Sequence, residues 1–427
     1  MHVEFLTGSS GSGKSKRLYD ILLDMSQENP DKKIFLVVPE QFTMQAQRNI
    51  VENSPGHGTF NIDIVSFNRL AYRIFEELGI ELPTAIDDTG KNLILRKIID
   101  ENKKDFKIIR AKDSQGFVSE IKSVISELLQ YSVTADMLKD ACGRLSTGGI
   151  NNNERLRRKL EDISLIYSAF KEYISDKYIT TEEVTAILCR YVDKSELLEN
   201  AVFAFDGFTG FTPVQYQLIE LLFDKADTMY FTLTLPQDGD RWLFDMSYDE
   251  LRRIGECADR HHVRVRRMNV GEAVPYRFKD SPQLAHLERN LYRDMAQYDG
   301  EADNIAIYSA LGKKAEVSYV ASRIKSLVES GLRYRQIGVI VSSMADYKEL
   351  LASIFEENKI PVFMDNKRSI LANPAVEYIR AALAIVEKDY SYESVGCSRD
   401  TCVRTVGDLL TVWGALIYLR ITSLLLV

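Results

Sequence analysis

Apolar positions fall into two rhythms along this chain, and their alternation outlines the fold. Short continuous runs come first: His2-Val3-Glu4-Phe5-Leu6, then Lys33-Ile34-Phe35-Leu36-Val37-Val38-Pro39, then Asp63-Ile64-Val65-Ser66-Phe67. Such runs suit strands of a parallel sheet buried on both faces. Amphipathic segments lie between them, and Asn68–Leu78 reads as a helix. From about residue 85 to 195 the pattern is almost wholly helical. There Leu156, Leu160, Ile163, Tyr167, Phe170 and Ile174 recur at steps of four and three, the apolar face of one long helix. Short runs return at Ala201–Phe205 and Thr228–Leu233. A further unit opens near Asp303, with a strand over Ile305–Tyr308, a helix over Ala315–Ser330 and a strand over Ile337–Val341. This order predicts an α/β fold. A parallel sheet is expected from residues 1–84 and 196–300, a helical insertion from 85–195, and the start of a second α/β domain from 301–395.

The first junction between strand and helix carries chemistry. Gly8-Ser9-Ser10-Gly11-Ser12-Gly13-Lys14-Ser15 fits the P-loop spacing, with a strand before it and a helix over Lys16–Leu23 after it. Glycines let backbone N–H groups close around a phosphate chain, and the helix N-terminus adds the positive end of its dipole. Lys14 is placed to neutralise the β- and γ-phosphates of ATP, and the Ser15 hydroxyl to ligate Mg²⁺.

Composition adds bounds. A chain of 427 residues has room for two or three domains, and its 45% hydrophobic and 27% charged content is ordinary for a globular protein. A net charge of −8 argues against indiscriminate, charge-driven binding of nucleic acid but leaves room for a local basic groove. The five cysteines show no metal-ligand or disulfide spacing, and the first strand starts at residue 2, so no signal peptide is expected and a cytoplasmic setting is the default. Two basic stretches have ordinary readings. Arg260–Arg267 alternates like a charged edge strand, and Arg155, Arg157, Arg158 and Lys159 fall on the polar side of their helix. Residues 396–427 differ from the rest: lysine and glutamate vanish, and Leu409–Val427 is apolar but for Arg420. A membrane anchor needs about 20 apolar residues, and an arginine in mid-span costs about 2.5–3.5 kcal/mol. The better reading is that the chain departs from its natural course after Val395, by frameshift or truncation, and no membrane partner is expected.

A set of further motifs follows the P-loop in fixed order. They are Val37-Val38-Pro39-Glu40-Gln41-Phe42-Thr43-Met44-Gln45, Val65-Ser66-Phe67-Asn68-Arg69-Leu70-Ala71-Tyr72-Arg73 and Phe205-Asp206-Gly207-Phe208-Thr209-Gly210-Phe211-Thr212-Pro213-Val214-Gln215. Ala315-Glu316-Val317, Gly331-Leu332-Arg333-Tyr334 and Ile360–Asp365 come later. This set resembles the AddB family, components of the bacterial ATP-dependent helicase–nucleases that process double-strand DNA breaks, over residues 1–395. The family is similar to superfamily 1 helicases of the UvrD type. The resemblance implies a RecA-like P-loop domain with a helical insertion, a second RecA-like domain, and an AddA-type partner in a heterodimer working in DNA repair and recombination. It also implies a C-terminal nuclease domain whose iron–sulfur cluster is held by four cysteines. That domain is expected only in the full-length family member, and Cys397 and Cys402, in the anomalous tail, are assigned no cluster.

Two departures point to a weakened motor. Superfamily members follow a buried strand with Asp-Glu, the Asp for Mg²⁺ and the Glu as general base, whereas this chain has Asp206-Gly207. A positioned base is worth about 10²–10⁴-fold. After Val341, where active members aim an arginine at the γ-phosphate, stand Ser342 and Ser343, and such an arginine is worth about 10³–10⁵ in related NTPases. No adenine-reading segment is seen ahead of the P-loop. Substitution of the base by Glu40 stays open, as do an active motor and a P-loop kinase. The resemblance further implies that the helicase-like part recognises the Chi sequence in single-stranded DNA. The matching positions are Gln41, Thr43, Phe67, Arg69, Tyr72 and Phe208. They lie at strand ends, where doubly wound sheets bind ligands, and they mix stacking, phosphate-pairing and base-reading side chains. For Phe67, Tyr72 and Phe208 a place in the core is the competing reading.

Overall fold

The computed structural model describes residues 1–395 apart from 55, 57, 59, 60, 108–114, 148–152, 176, 238, 239, 272, 273, 294 and 365–372. The expectation of a non-native tail at 396–427 therefore falls outside the described residues. The chain divides into two compact units, Met1–Ala306 and Ile307–Val427.

The first unit runs β1 (His2–Gly8), α1 (Lys14–Glu28), β2 (Ile34–Val37), α2 (Thr43–Asn53), β3 (Ile62–Val65) and α3 (Phe67–Glu77). An excursion follows through β4 (Thr84–Ile86), α4 (Asp88–Glu101), α5 (Gln115–Gln130), α6 (Ala135–Thr147), α7 (Asn153–Ile174) and β5 (Tyr178–Thr180). The unit then closes with α8 (Val184–Leu188), β6 (Val202–Phe205), α9 (Pro213–Leu222), β7 (Thr228–Thr234), α10 (Asp245–Arg260), β8 (Arg264–Asn269) and α11 (Pro282–Asn290). Six strands form one sheet in the order β3-β2-β6-β7-β1-β8, and every pairing is parallel.

The pleat sends alternate residues of each run to opposite faces. Val3, Phe5, Phe35, Val37, Phe203, Phe205 and Phe231 meet α3, α8, α9 and α10 on one side. Leu6, Ile34, Leu36, Val202, Ala204 and Tyr230 meet α1 and α2 on the other. Phenylalanines stack across neighbouring strands on the first face, Phe35 on Phe203 at 5.2 Å and Phe205 on Phe231 at 4.7 Å between ring centroids. Both faces of β2 and β6 are filled, which is why these strands are uninterrupted apolar sequence. The arginine-rich strand lies where its composition places it: β8 pairs only with β1, and Arg264 and Arg266 are exposed.

Helices α4–α7 pack around their own core of Leu95, Ile98, Ile125, Ile166 and Phe170, separate from the two cores of the sheet. Apolar periodicity gives no sign of how this insertion is tethered. It is entered and left by two three-residue strands paired in parallel, Thr84 opposite Tyr178 through Ile86 opposite Thr180. Just beyond this ribbon an inward position of α4 holds a lysine. Lys91 is buried and donates to Glu182 Oε1 and Oε2 at 2.7 and 2.9 Å and to Ser126 Oγ at 3.3 Å. Burial works against the charge on Glu182, yet the hydrogen bonds from Lys91 hold its carboxyl below the usual range. On the outer face of α7, Arg157 and Arg158 pair with Glu161 and Glu154 four residues away, as a solvated helix face does.

In the second unit, α12 (Lys313–Glu329) and α13 (Met344–Glu357) join through Val317, Ala321, Ile324, Leu351, Ile354 and Phe355, with α14 (Pro374–Glu387) following. The strands expected at 305–308 and 337–341 are not present as strands. A strand is defined by its ladder, and among the described residues neither segment has a partner. Ile307 and Ile340 are each 98% exposed in consequence. Among the described residues no helix is long and apolar enough to cross a membrane.

Lys91→Met strips Glu182 of its charge partner, and breaking a buried pair on one side costs about 3–5 kcal/mol. Denaturant unfolding should show a loss of that size, with most of it recovered when Glu182→Leu is added. A loss below about 1 kcal/mol in the single variant would mean that water already screens the pair.

Candidate functional site

The C-terminal ends of the parallel strands gather the predicted residues along one edge. β1 ends at Gly8, whose backbone passes so close to β8 that an added Cβ would sit 2.2 Å from the Val270 carbonyl oxygen. The loop then turns through Gly11 at φ +76° and Gly13 at φ +96°, left-handed conformations that favour glycine, and Gly13 caps α1. Lys14 folds back over this loop and donates to the carbonyls of Gly8 at 3.1 Å and Ser9 at 2.8 Å. Burial lowers its amine to about 8, with Asp206 pulling it up and Arg277 pushing it further down. The Ser12 hydroxyl is buried with no hydrogen-bond partner among the described residues.

β6 delivers Asp206 beside the loop, 5% exposed. Its Oδ1 accepts from Ser15 Oγ at 2.9 Å and from Thr232 Oγ1 at 2.6 Å, and its Oδ2 accepts from Tyr19 Oη at 2.9 Å. Burial, then the neighbouring carboxylate, push the Tyr19 hydroxyl well above the usual phenol range. The two residues predicted to hold Mg²⁺, Ser15 and Asp206, are thus in direct contact. The next residue, Gly207, takes φ +78° and lies against Pro39 and Phe42.

A cavity of about 750 Å³ opens over the loop, lined by Lys14, Ser15, Asp206, Thr232, Tyr276 and Arg277. The last two were missed in the sequence, where Tyr276-Arg277 follows an arginine-rich edge strand and has no motif of its own. The structure ties them to the P-loop. The Arg277 N–H donates to the Gly11 carbonyl at 3.1 Å. A Cβ on Gly11 would meet the Arg277 Cβ at 2.6 Å, so this glycine makes room for the arginine stem. Tyr276 is 67% exposed at the rim of the cavity. A second cavity of about 810 Å³ adjoins Gly8 and Ser9 and is lined by Gln237, Asn269, His286 and Arg289.

The six predicted DNA contacts divide by exposure. Gln41 lies exposed on a 3-10 turn, Glu40–Phe42, that follows β2. Arg69 is exposed on α3, and its Nε donates to Glu40 Oε1 at 3.2 Å. Tyr72, one turn further along α3, is 46% exposed and meets Phe75 edge-on. Phe208 is half-buried, 5.5 Å from Phe67 and 4.9 Å from Phe211 between ring centroids. Phe67 is 6% exposed and packs into the sheet core, while Thr43 is buried and spends its hydroxyl on the Glu40 carbonyl at 2.9 Å. Glu40, the alternative base, is thereby engaged with Arg69. The loop from Gly207 to Thr212 is anchored from behind by Glu250 on α10, which accepts from the Phe211 N–H at 3.2 Å and from the Tyr216 hydroxyl. Burial pushes the Glu250 carboxyl up.

A glycine-rich loop between β1 and α1, a buried strand ending in aspartate, and one intervening strand between them define a P-loop α/β domain of the RecA-like class. The family model described as ADDB, N-terminal, matches residues 5–288, and the chain belongs to the AddB family. It is 36% identical over 408 residues to the B-type subunit of the ATP-dependent helicase/deoxyribonuclease from Lachnoclostridium phytofermentans, covering 92% of this chain and 35% of that protein. The proteins of the same name from Clostridium kluyveri and Clostridium novyi are 33% and 34% identical, again over 92% of this chain and 35% of their own lengths. The chain therefore spans about a third of the relatives it matches.

Lys14 makes anion binding pH-dependent. A phosphate needs the ammonium form, which is already present below the free-site value of about 8. Above it, each binding event must recruit a proton, so affinity for a nucleoside triphosphate should fall by up to about tenfold per pH unit. Fluorescent-nucleotide titrations between pH 7 and 9.5 read this slope, and a flat profile would contradict it.

Proposed function

We propose that this chain is the nucleotide-binding, single-stranded-DNA-reading module of an AddB-type protein, which binds ATP with Mg²⁺ and has lost useful hydrolysis. The observation that carries this reading is the contact of Ser15 with Asp206 beside Lys14, followed by a glycine where a general base would stand. The donor set fits a metal–triphosphate. Glycines at positive φ open the loop, the Ser12 hydroxyl lacks a partner among the described residues, and a hard-oxygen pair from Ser15 and Asp206 suits Mg²⁺. Mg²⁺ there would balance phosphate charge. Lys14 would exchange its two carbonyl acceptors for phosphate oxygens, and Arg277 would bring a second cation from the rim. Gly207 has no side chain to accept a proton from water.

The sheet edge would hold DNA through Gln41, Arg69, Tyr72 and Phe208, with Thr43 and Phe67 fixing the turn and the start of α3 beneath them. The names of the relatives support a place in an ATP-dependent helicase–deoxyribonuclease alongside a partner of AddA type, acting in double-strand break repair. Recognition of Chi by this edge belongs to the same proposal.

Two experiments test it. The chain should bind ATP in Mg²⁺, Arg277→Ala should weaken binding and Lys14→Ala should abolish it, while turnover with single-stranded DNA stays near background. A DNA-stimulated rate of many per second that vanishes in Lys14→Ala would sink the hydrolysis-deficient reading. For DNA, Arg69→Ala and Phe208→Ala should each cost about 1–3 kcal/mol on a preferred sequence, from a lost base contact and a lost stack respectively. If Arg69→Ala instead weakens all sequences equally and lowers the salt slope by about one, Arg69 meets phosphate only.

A further inference from the structure

Three hydroxyls converge on Asp206 from two elements. Ser15 and Tyr19 come from α1 and Thr232 from β7. Residues 15 and 19 are one helical turn apart and share a face, so one carboxylate meets both hydroxyls. A carboxylate offers about four lone-pair directions. Two on Oδ1 are taken by Ser15 and Thr232 and one on Oδ2 by Tyr19, which leaves a single direction for the cavity that Asp206 lines. The Tyr19 ring sits in the apolar layer with Leu18, Leu22, Leu36 and Ala204. A leucine or phenylalanine would fill that place equally well, so what tyrosine adds there is the hydroxyl on Asp206.

Resting on the nucleotide-binding reading, we infer that Tyr19 is a positioning residue. It pins Oδ2 so that the remaining acceptor direction of Asp206 faces the metal beside Ser15, and it thereby sets how strongly Mg²⁺ supports nucleotide binding. Without the Tyr19 hydroxyl, nothing holds Oδ2 and the carboxylate can rotate about its last bond. Contacts one step removed from a metal typically change its affinity by about 10–100-fold. The phosphate contacts of the loop, made by Lys14 and backbone N–H groups, do not pass through Tyr19.

The test titrates a fluorescent ATP analogue into the full chain and into Tyr19→Phe, in excess EDTA and across Mg²⁺ concentrations, with melting temperature followed in parallel. Tyr19→Phe should raise the Mg²⁺ midpoint about tenfold or more and leave the affinity in EDTA within about twofold of the parent chain. Tyr19→Leu, which fills the apolar layer without a hydroxyl, should do the same and serves if the first variant folds poorly. An unchanged Mg²⁺ midpoint overturns the assignment. Affinities falling together with and without metal make Tyr19 a packing residue and overturn it too. If the parent chain shows no Mg²⁺-supported binding at all, the nucleotide-binding reading itself falls, and this inference with it.

Discussion

One buried carboxylate organises the nucleotide side of the molecule. Asp206 sits at the end of β6, and its hydroxyl partners belong to α1 and β7. A charge so far from water is costly unless each lone pair has a partner. Three neutral hydroxyls meet that requirement without cancelling the charge, so the site keeps an anion facing its lysine and its open cavity. The same contacts fix the first turns of α1 against the sheet, so the phosphate loop between β1 and α1 has both ends held. Stabilising the fold and preparing a cation site are here the work of one set of hydrogen bonds.

The opposite end of the sheet edge is built from rings instead of charges. Phe67, Phe205, Phe208, Phe211 and Phe231 form a continuous aromatic cluster beneath the strand ends. Offset and edge-on contacts of this kind give each ring a fixed plane. Glu250 adds the polar anchor, holding the Phe211 N–H from α10. A loop that would otherwise be free after Gly207 is thus clamped from two directions. Polar groups at the surface of this layer, Gln41 and the Arg69–Glu40 pair, stand on a rigid base. Arg69 is reachable, but a nucleic-acid phosphate would have to compete with Glu40 for it. An exposed pair of this type is worth at most about 1 kcal/mol, so the exchange is cheap.

What the sequence disclosed follows from which forces are local. Parallel strands buried on both faces leave unbroken apolar runs, so β1, β2, β6 and β7 could be read directly. The phosphate loop is legible because its geometry demands glycine at Gly11 and Gly13. The ribbon of β4 and β5 was hidden, since three-residue strands have no period and their pairing is about 90 residues apart along the chain. Arg277 was hidden for a related reason: its nearness to Gly11 depends on the packing of β8 against β1, a non-local fact. In the second unit the converse holds. Segments 305–308 and 337–341 have strand-like sequence, but β structure needs a neighbouring backbone, and propensity alone supplies none. Side-chain burial at the edge was likewise undecided in sequence, because Phe67 and Tyr72 share a helix and differ only in which side of it faces the sheet.

A nucleotide held without turnover would have an energetic use that hydrolysis would defeat. A ligand that binds only the folded site stabilises it by about 2.7 kcal/mol at a concentration one hundred times its dissociation constant. Bound across Lys14, Ser15 and Asp206, it would tie together α1, β1 and β6, the elements already joined by the hydroxyl cluster. That increment persists only while the γ-phosphate stays attached, since its loss would remove charge from the groups that grip it. A glycine at 207 is consistent with that end: it leaves the phosphate-binding half of the apparatus intact and removes the proton acceptor that would shorten the nucleotide's stay.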